Sequence, residues 1–154
     1  MLASTRFNVQ TLFERDRYME GKSFICYGAP KKIKKTIASN TLLFVVEMNN
    51  DTNQIVAIGL IRNNISHEPH FIYENQNYHR YVYVGKYRIT REEMEETDQD
   101  LVEIFELILF KGYAHIKRHS GITLVPPKLL VDNRVRGVNL LERVKKMFKT
   151  KYVK

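Results

Sequence analysis

The chain of 154 residues has no tryptophan, one cysteine and only four prolines. With Cys26 alone, no internal disulfide can form. No apolar stretch is long enough and free enough of charge to span a bilayer, so no membrane association is expected. The first residues lack a charged segment followed by an apolar one, the pattern that directs secretion. Together these absences predict a reducing, intracellular setting. Gly28 and Gly59 fit neither the Walker pattern nor the dinucleotide fingerprint, so no phosphate loop is expected. Repeats, low-complexity tracts and an interdomain linker are also missing, and the length suits one domain over residues 1–154. That length buries a core without covalent staples. No catalytic signature stands out; neither an enzyme nor a cofactor is expected.

Acidic residues are scarce outside one segment. Residues 1–90 hold 12 Lys/Arg against 7 Asp/Glu, residues 91–110 hold 1 against 8, and residues 111–154 hold 12 against 2. The local charges of +5, −7 and +10 say more than the overall +8, because clustered charge sets the field that a polyanion feels. A solvated surface is the plainer reading of the same charges. Nine Tyr and eight Phe supply bulky core or stacking groups.

Periodicity predicts a helix over residues 8–20, capped by Asn8, with Val9, Leu12 and Phe13 inward and Gly21 as terminator. A strand follows at 23–27, broken by Gly28-Ala29-Pro30. Pro30 then suits the first turn of a helix through Ile37, with Lys31, Lys32, Lys34 and Lys35 outward and Ile33 and Ile37 inward. Residues 42–48 and 54–63 form an apolar hairpin whose strands are covered on both faces, and Gly59 marks a bulge or a close approach. Residues 63–77 read as loop, with a brief strand at Phe71-Ile72-Tyr73. Residues 78–89 alternate as a strand or strand pair, Tyr81, Tyr83, Tyr87 and Ile89 on one face, with Gly85 as a bend. Thr90 to Glu93 fits a capping box, and Asp98 with Asp100 gives a second helix start. Leu101, Ile104, Phe105 and Ile108 face the core, and Gly112 ends that helix. A short strand at 122–125 and a basic amphipathic helix at 139–150 close the chain. The expected class is α+β: a small, mostly antiparallel curved sheet or barrel with helices from both ends packed on it.

The order of strand (24–27), basic helix (31–38), apolar hairpin (42–50 and 54–62) and the later Gly85-Lys86-Tyr87-Arg88-Ile89 strand is similar to the PUA-like superfamily, and within it to the YTH and EVE branch. The resemblance covers roughly the first 95 residues. It implies a PUA-like β-barrel flanked by helices, with residues 111–154 as a basic C-terminal helical extension. It also implies binding of RNA, including a modified base. YTH-like readers grip methylated adenine in a tryptophan cage; with no Trp here, that activity does not carry over. Residues 111–123 also resemble a stretch found in uncharacterised proteins of large nucleo-cytoplasmic DNA viruses, which implies a viral origin, a host cytoplasmic or nuclear location, or packaging in a virion.

With the charge pattern, the resemblance predicts a non-enzymatic module that binds RNA or single-stranded nucleic acid. A groove between the segment Tyr27 to Lys35 and Arg62–Asn63 would hold a nucleotide. Lys31, Lys32, Lys34 and Lys35 would contact phosphates, Asn63 or Asn77 would read a base edge, and Tyr78 would stack beside Arg80. Lys111, Lys117 and Arg118, in a cluster with His115 and His119, form a second phosphate-binding edge, although cations are also favoured at a helix C-terminus on structural grounds. The i,i+4 spacing of His115 and His119 lacks a third metal ligand, and Ser120-Gly121 opposes a firm helix there. The alternative function is a viral structural or accessory protein whose acidic helix 92–106 docks a basic protein partner.

Overall fold

The first strand, β1 (Leu2–Phe7), precedes every element that periodicity predicts. A computed structural model describes residues 1–153. After β1 come helix α1 (Val9–Met19), strand β2 (Ile25–Ala29), the hairpin β3 (Leu42–Asn49) and β4 (Gln54–Arg62), then β5 (Tyr81–Gly85) and β6 (Tyr87–Thr90). Helix α2 (Arg91–Phe110), strand β7 (Thr123–Leu124), the single turn α3 (Pro127–Leu130) and helix α4 (Leu140–Tyr152) complete the fold.

The class is α+β. Five strands form a mixed sheet in the order β6-β4-β3-β1-β7, and β2 pairs with β5 in a separate two-stranded sheet. No closed barrel forms among the described residues, which corrects that expectation. The reason lies in β1: it inserts parallel to β3, with Leu2 opposite Phe44 and Phe7 opposite Asn49. It occupies the edge of the hairpin that β2 would need to close the sheet. The β2–β5 pair instead lies across the sheet's face.

Alternation along β3 divides two cores. Phe44, Val46 and Met48 meet α2 and α4 through Phe105, Ile108, Val144 and Phe148. Leu43 and Val45 face the other way, against Ile25, Tyr27, Tyr83 and Phe7. Both faces of the hairpin are therefore covered, as its continuous apolar character requires. Helix α4 is part of the first core rather than an appendage, since Leu140, Val144, Met147 and Phe148 are all buried there.

Cap chemistry behaves as read from the sequence. Thr90 and Glu93 exchange the reciprocal hydrogen bonds of a capping box. Asp98 leaves helical geometry (φ −159°, ψ 68°), kinks α2 and accepts from the Leu101 amide at 3.4 Å, so it is the second start. Gly112 takes φ +92° just past the helix. Gly59 marks a close approach: a Cβ there would lie 2.0 Å from the Tyr27 hydroxyl.

Four local expectations fail. Residues 31–38 form turns and coil, not a helix, although Ile33 and Ile37 are buried as anticipated. The Ile33 amide donates to the Tyr83 hydroxyl at 3.0 Å, a tertiary contact that takes the place of a helical one. Phe71 to Tyr73 is not a strand. Tyr87, placed on the inward face with Tyr83 and Ile89, is exposed, because Gly85 separates two strands that belong to different sheets. On α1, Val9 and Phe13 point to solvent, and the buried residue is Arg15.

Arg15 is turned inward by Glu47, on the second-core face of β3. Both side chains are fully buried. The Glu47 carboxylate accepts from Arg15 Nη2, from the Tyr27 hydroxyl at 2.6 Å, and from Arg88 Nε and Nη2 at 2.9 Å each. Burial alone would push the Glu47 carboxyl upward, but the two guanidinium groups and these hydrogen bonds outweigh it and bring it down to about 2. A carboxylate this deep is tolerated because it is paired and saturated.

Candidate nucleic-acid interface

Strands β1, β2 and β3 bring their C-terminal ends to one region of the surface. A cleft of about 250 Å³ opens there. Its walls come from the β1–α1 junction, from Gly28 near the end of β2 and Pro30 just past it, from Asn50 after β3, and from two distant segments, one carrying Tyr73 and Tyr78 and the other Lys117, His119, Ser120 and Gly121. No Asp or Glu lines it among the described residues.

Arg6 is the fixed cation of this cleft. Its Nη2 donates to the Gly121 carbonyl at 2.5 Å and to Thr123 Oγ1 at 3.1 Å, and its Nη1 donates to Ser4 Oγ at 2.9 Å. All these partners are neutral, and no carboxylate pairs with Arg6 among the described residues. Burial without an acidic neighbour pulls its pKa down to about 10, so it stays protonated at neutral pH with its charge uncompensated.

Other basic side chains gather around it. Lys117 and His119 line the cleft. Lys31 runs beside its wall: a Cβ on Gly121 would stand 3.3 Å from Lys31 Cγ. The His119 imidazole is held below its usual pKa by burial, then by the charges of Arg6, Lys31, Lys34 and His115. The titrating ring thus registers a positive local field, supplied by three segments far apart in sequence.

Tyr78 forms the aromatic rim and is 43% exposed. It sits edge-on to the buried Tyr73, ring centroids 6.1 Å apart. The short 3-10 turn Gln76–His79 that carries it rests directly on β2 at Gly28, where a Cβ would come within 2.8 Å of the Tyr78 carbonyl. Glycine at that point lets the turn dock and sets Tyr78 at the cleft.

A second, wider cleft of about 680 Å³ lies where the sequence placed its groove, between Lys32, Lys34, Lys35 and Asn63. Its lysines are exposed, and Lys32 Nζ sits 5.6 Å from the Tyr81 ring centroid. Lys34 lines this cleft and Lys31 packs beside Gly121 at the smaller one, so the stretch 31–35 links the two clefts.

The sequence-selected residues divide accordingly. Lys31, Lys117 and Tyr78 lie on or beside the smaller cleft; Lys32, Lys34 and Lys35 line the larger. Tyr27 is fully buried with its hydroxyl on Glu47, so it faces no ligand. The side-chain amide of Asn63 donates to the Ile37 and Ala38 carbonyls at 2.9 and 3.2 Å, and Arg62 Nη1 donates to the Asn40 carbonyl at 3.1 Å. These two clasp the basic loop rather than read a base. Asn77, Arg80 and Arg118 are exposed but line neither cleft. Lys111 stands at the end of α2, where its carbonyl accepts from Arg134. His115 and His119 lie outside any helix, and no group of three or more potential ligands forms a metal cluster among the described residues. Arg6 and Asn50 were missed. Arg6 sits in a strand without clear alternation, and Asn50 read only as part of a polar turn.

Five of the eight carboxylates of the acidic helix are paired within the protein, while Glu92, Glu96 and Glu103 are exposed and without an ion pair among the described residues. Arg143 holds Asp98 and Asp100, Lys151 holds Glu93 at 2.7 Å, and Arg91 holds Glu95 and Glu106 at 2.6 Å each. The −7 and +10 segments therefore meet each other across the α2–α4 contact. No helix among the described residues is long and apolar enough to cross a membrane.

Comparison with protein-family models, with curated proteins and with solved structures gives no match for this chain.

Proposed function

We propose that this protein binds single-stranded nucleic acid, RNA foremost, through the basic face formed by the two linked clefts, without catalysing a reaction on it. One observation carries this reading. Arg6, Lys31, Lys117 and His119 converge from separate segments on a cleft with no acidic lining, beside an exposed tyrosine. Such a combination suits a strand whose phosphates are drawn electrostatically and whose bases stack. A concave site favours unpaired bases, whereas reading duplex DNA calls for a helix or ribbon that projects into the major groove. The competing idea, a protein that docks through its acidic helix, is weakened by the internal pairing of Glu93, Asp98, Asp100 and Glu106.

Anisotropy of labelled single-stranded RNA, its DNA counterpart and a duplex, each over a salt series, tests the proposal. Four neutralised phosphates give a slope of log K against log salt of about −3 for a single strand. The double change Lys31→Glu/Lys34→Glu is expected to weaken binding by at least about tenfold and flatten that slope. Binding that ignores both salt and the double charge reversal would refute it.

A further inference from the structure

The two clefts differ in size and in how their charge is held, and on the reading above that difference assigns them different parts of a strand. We propose that the smaller cleft anchors a phosphorylated strand end: a terminal phosphate monoester held at Lys117 and His119 in the field of the Arg6 guanidinium, with the end nucleotide's base on Tyr78.

Size is the first argument. A cleft of about 250 Å³ has room for about one nucleotide, while the neighbouring one of about 680 Å³ has room for more. A chain passing through needs a channel that continues at both sides, whereas an end needs only a terminus of this size.

Charge is the second. A phosphodiester carries one negative charge, and a terminal monoester carries about −1.5 to −2 at neutral pH with three strong acceptor oxygens. The smaller cleft supplies a fixed guanidinium and a lysine, with an uncharged imidazole beside them and no lining carboxylate to offset the two charges. Arg6 is already immobilised by the Gly121 carbonyl, Ser4 and Thr123, so its position does not have to be ordered when a ligand arrives. A buried cation with only neutral partners gains most from a doubly charged anion. In the wider cleft the lysines are exposed, suited to successive single charges.

Placement is the third. The cleft lies at the N-terminal end of α1, whose cap residue Asn8 lines it together with Thr11; the first amide of the helix, that of Val9, donates to the Asp51 carboxylate at 2.7 Å, outside the cleft lining. Lys31 and Lys34 lead from this cleft to the wider one, giving the following nucleotides a path.

The test uses one RNA sequence with a 5′-phosphate, with a 3′-phosphate, or with hydroxyls at both ends, bound to the full chain at constant salt. One phosphorylated end is expected to bind about tenfold tighter than the hydroxyl-ended strand, and the two phosphate arms identify which end is held. Lys117→Ala/His119→Gln, both outside any helix or strand, is expected to abolish that preference. Equal affinity for all three RNAs overturns the end-anchoring proposal while leaving strand binding intact. Failure to bind any of them overturns the strand-binding function itself.

Discussion

Replacing Glu47 with glutamine probes the charge cluster between α1, β2, β3 and β6. The native carboxylate takes hydrogen bonds from Arg15, Tyr27 and twice from Arg88. A glutamine side chain keeps one acceptor oxygen and turns N–H groups toward the guanidinium donors. Arg15 would then retain only Asp16, whose side chain is 51% exposed, while its own remains buried. Breaking a buried pair in this way costs about 3–5 kcal/mol. An independent route gives a similar size: a carboxyl moved from 4.5 to about 2 contributes roughly 3 kcal/mol at neutral pH. Urea unfolding followed by circular dichroism measures the loss. With a slope of about 2 kcal/mol per molar, the midpoint is expected to fall by about 2 M. The pH dependence has a definite sign. The carboxyl is depressed in the folded state, so its contribution is complete above pH 4.5 and disappears as pH falls through about 2. Glu47→Gln should lack that part of the wild-type acid limb. A loss under about 1 kcal/mol, or an unchanged acid limb, would show that this cluster does not hold the layers together.

Gly59→Ala should be worse than an ordinary glycine change in a strand, because the new methyl overlaps the Tyr27 hydroxyl and forces it off Glu47. A destabilisation of more than about 2 kcal/mol is expected in the same urea assay. Cys26 is fully buried, and burial pushes its thiol to about 11, so it should resist alkylation at pH 8 in the native protein and react promptly in denaturant. Asp98→Ala removes both the cap of the second half of α2 and the partner of Arg143, which donates to Asp98 at 2.8 Å through Nε. About 1–2 kcal/mol should be lost, seen as a fall of several degrees in thermal midpoint.

Readable features of the fold are those whose cause is local. The capping box at Thr90, the restart at Asp98 and the left-handed Gly112 each depend on residues within one or two turns. The hairpin was readable because strands covered on both faces must be apolar throughout. Two failures share one cause. Ile33 and Ile37 have helical spacing, and the structure buries both; but burial does not specify the backbone, and the Tyr83 hydroxyl takes the Ile33 amide that a helix would use. On α1, the apolar Val9 and Phe13 were expected inward, yet the electrostatic attraction of Glu47 turns Arg15 to the core instead. The candidate site was legible as ingredients. Lys31, Lys34, Tyr78 and Lys117 were visible as cations or an aromatic in polar segments, whereas Arg6 was hidden in a strand without alternation.

The amino-acid order alone determined the α+β class, the helix boundaries set by caps and glycines, the apolar hairpin and the separation of charge along the chain, because each depends on neighbours close in sequence. Tertiary structure decided the rest. Insertion of β1 beside β3 keeps the sheet open, Arg15 and Arg88 neutralise Glu47 across the layers, and α4 pairs with Glu93, Asp98 and Asp100 of the acidic helix. It also decided which cations remain unpaired and share a cleft. Coulomb interactions depend on distance in space, and that distance is fixed only once residues 6, 31 and 117 have been folded onto one another.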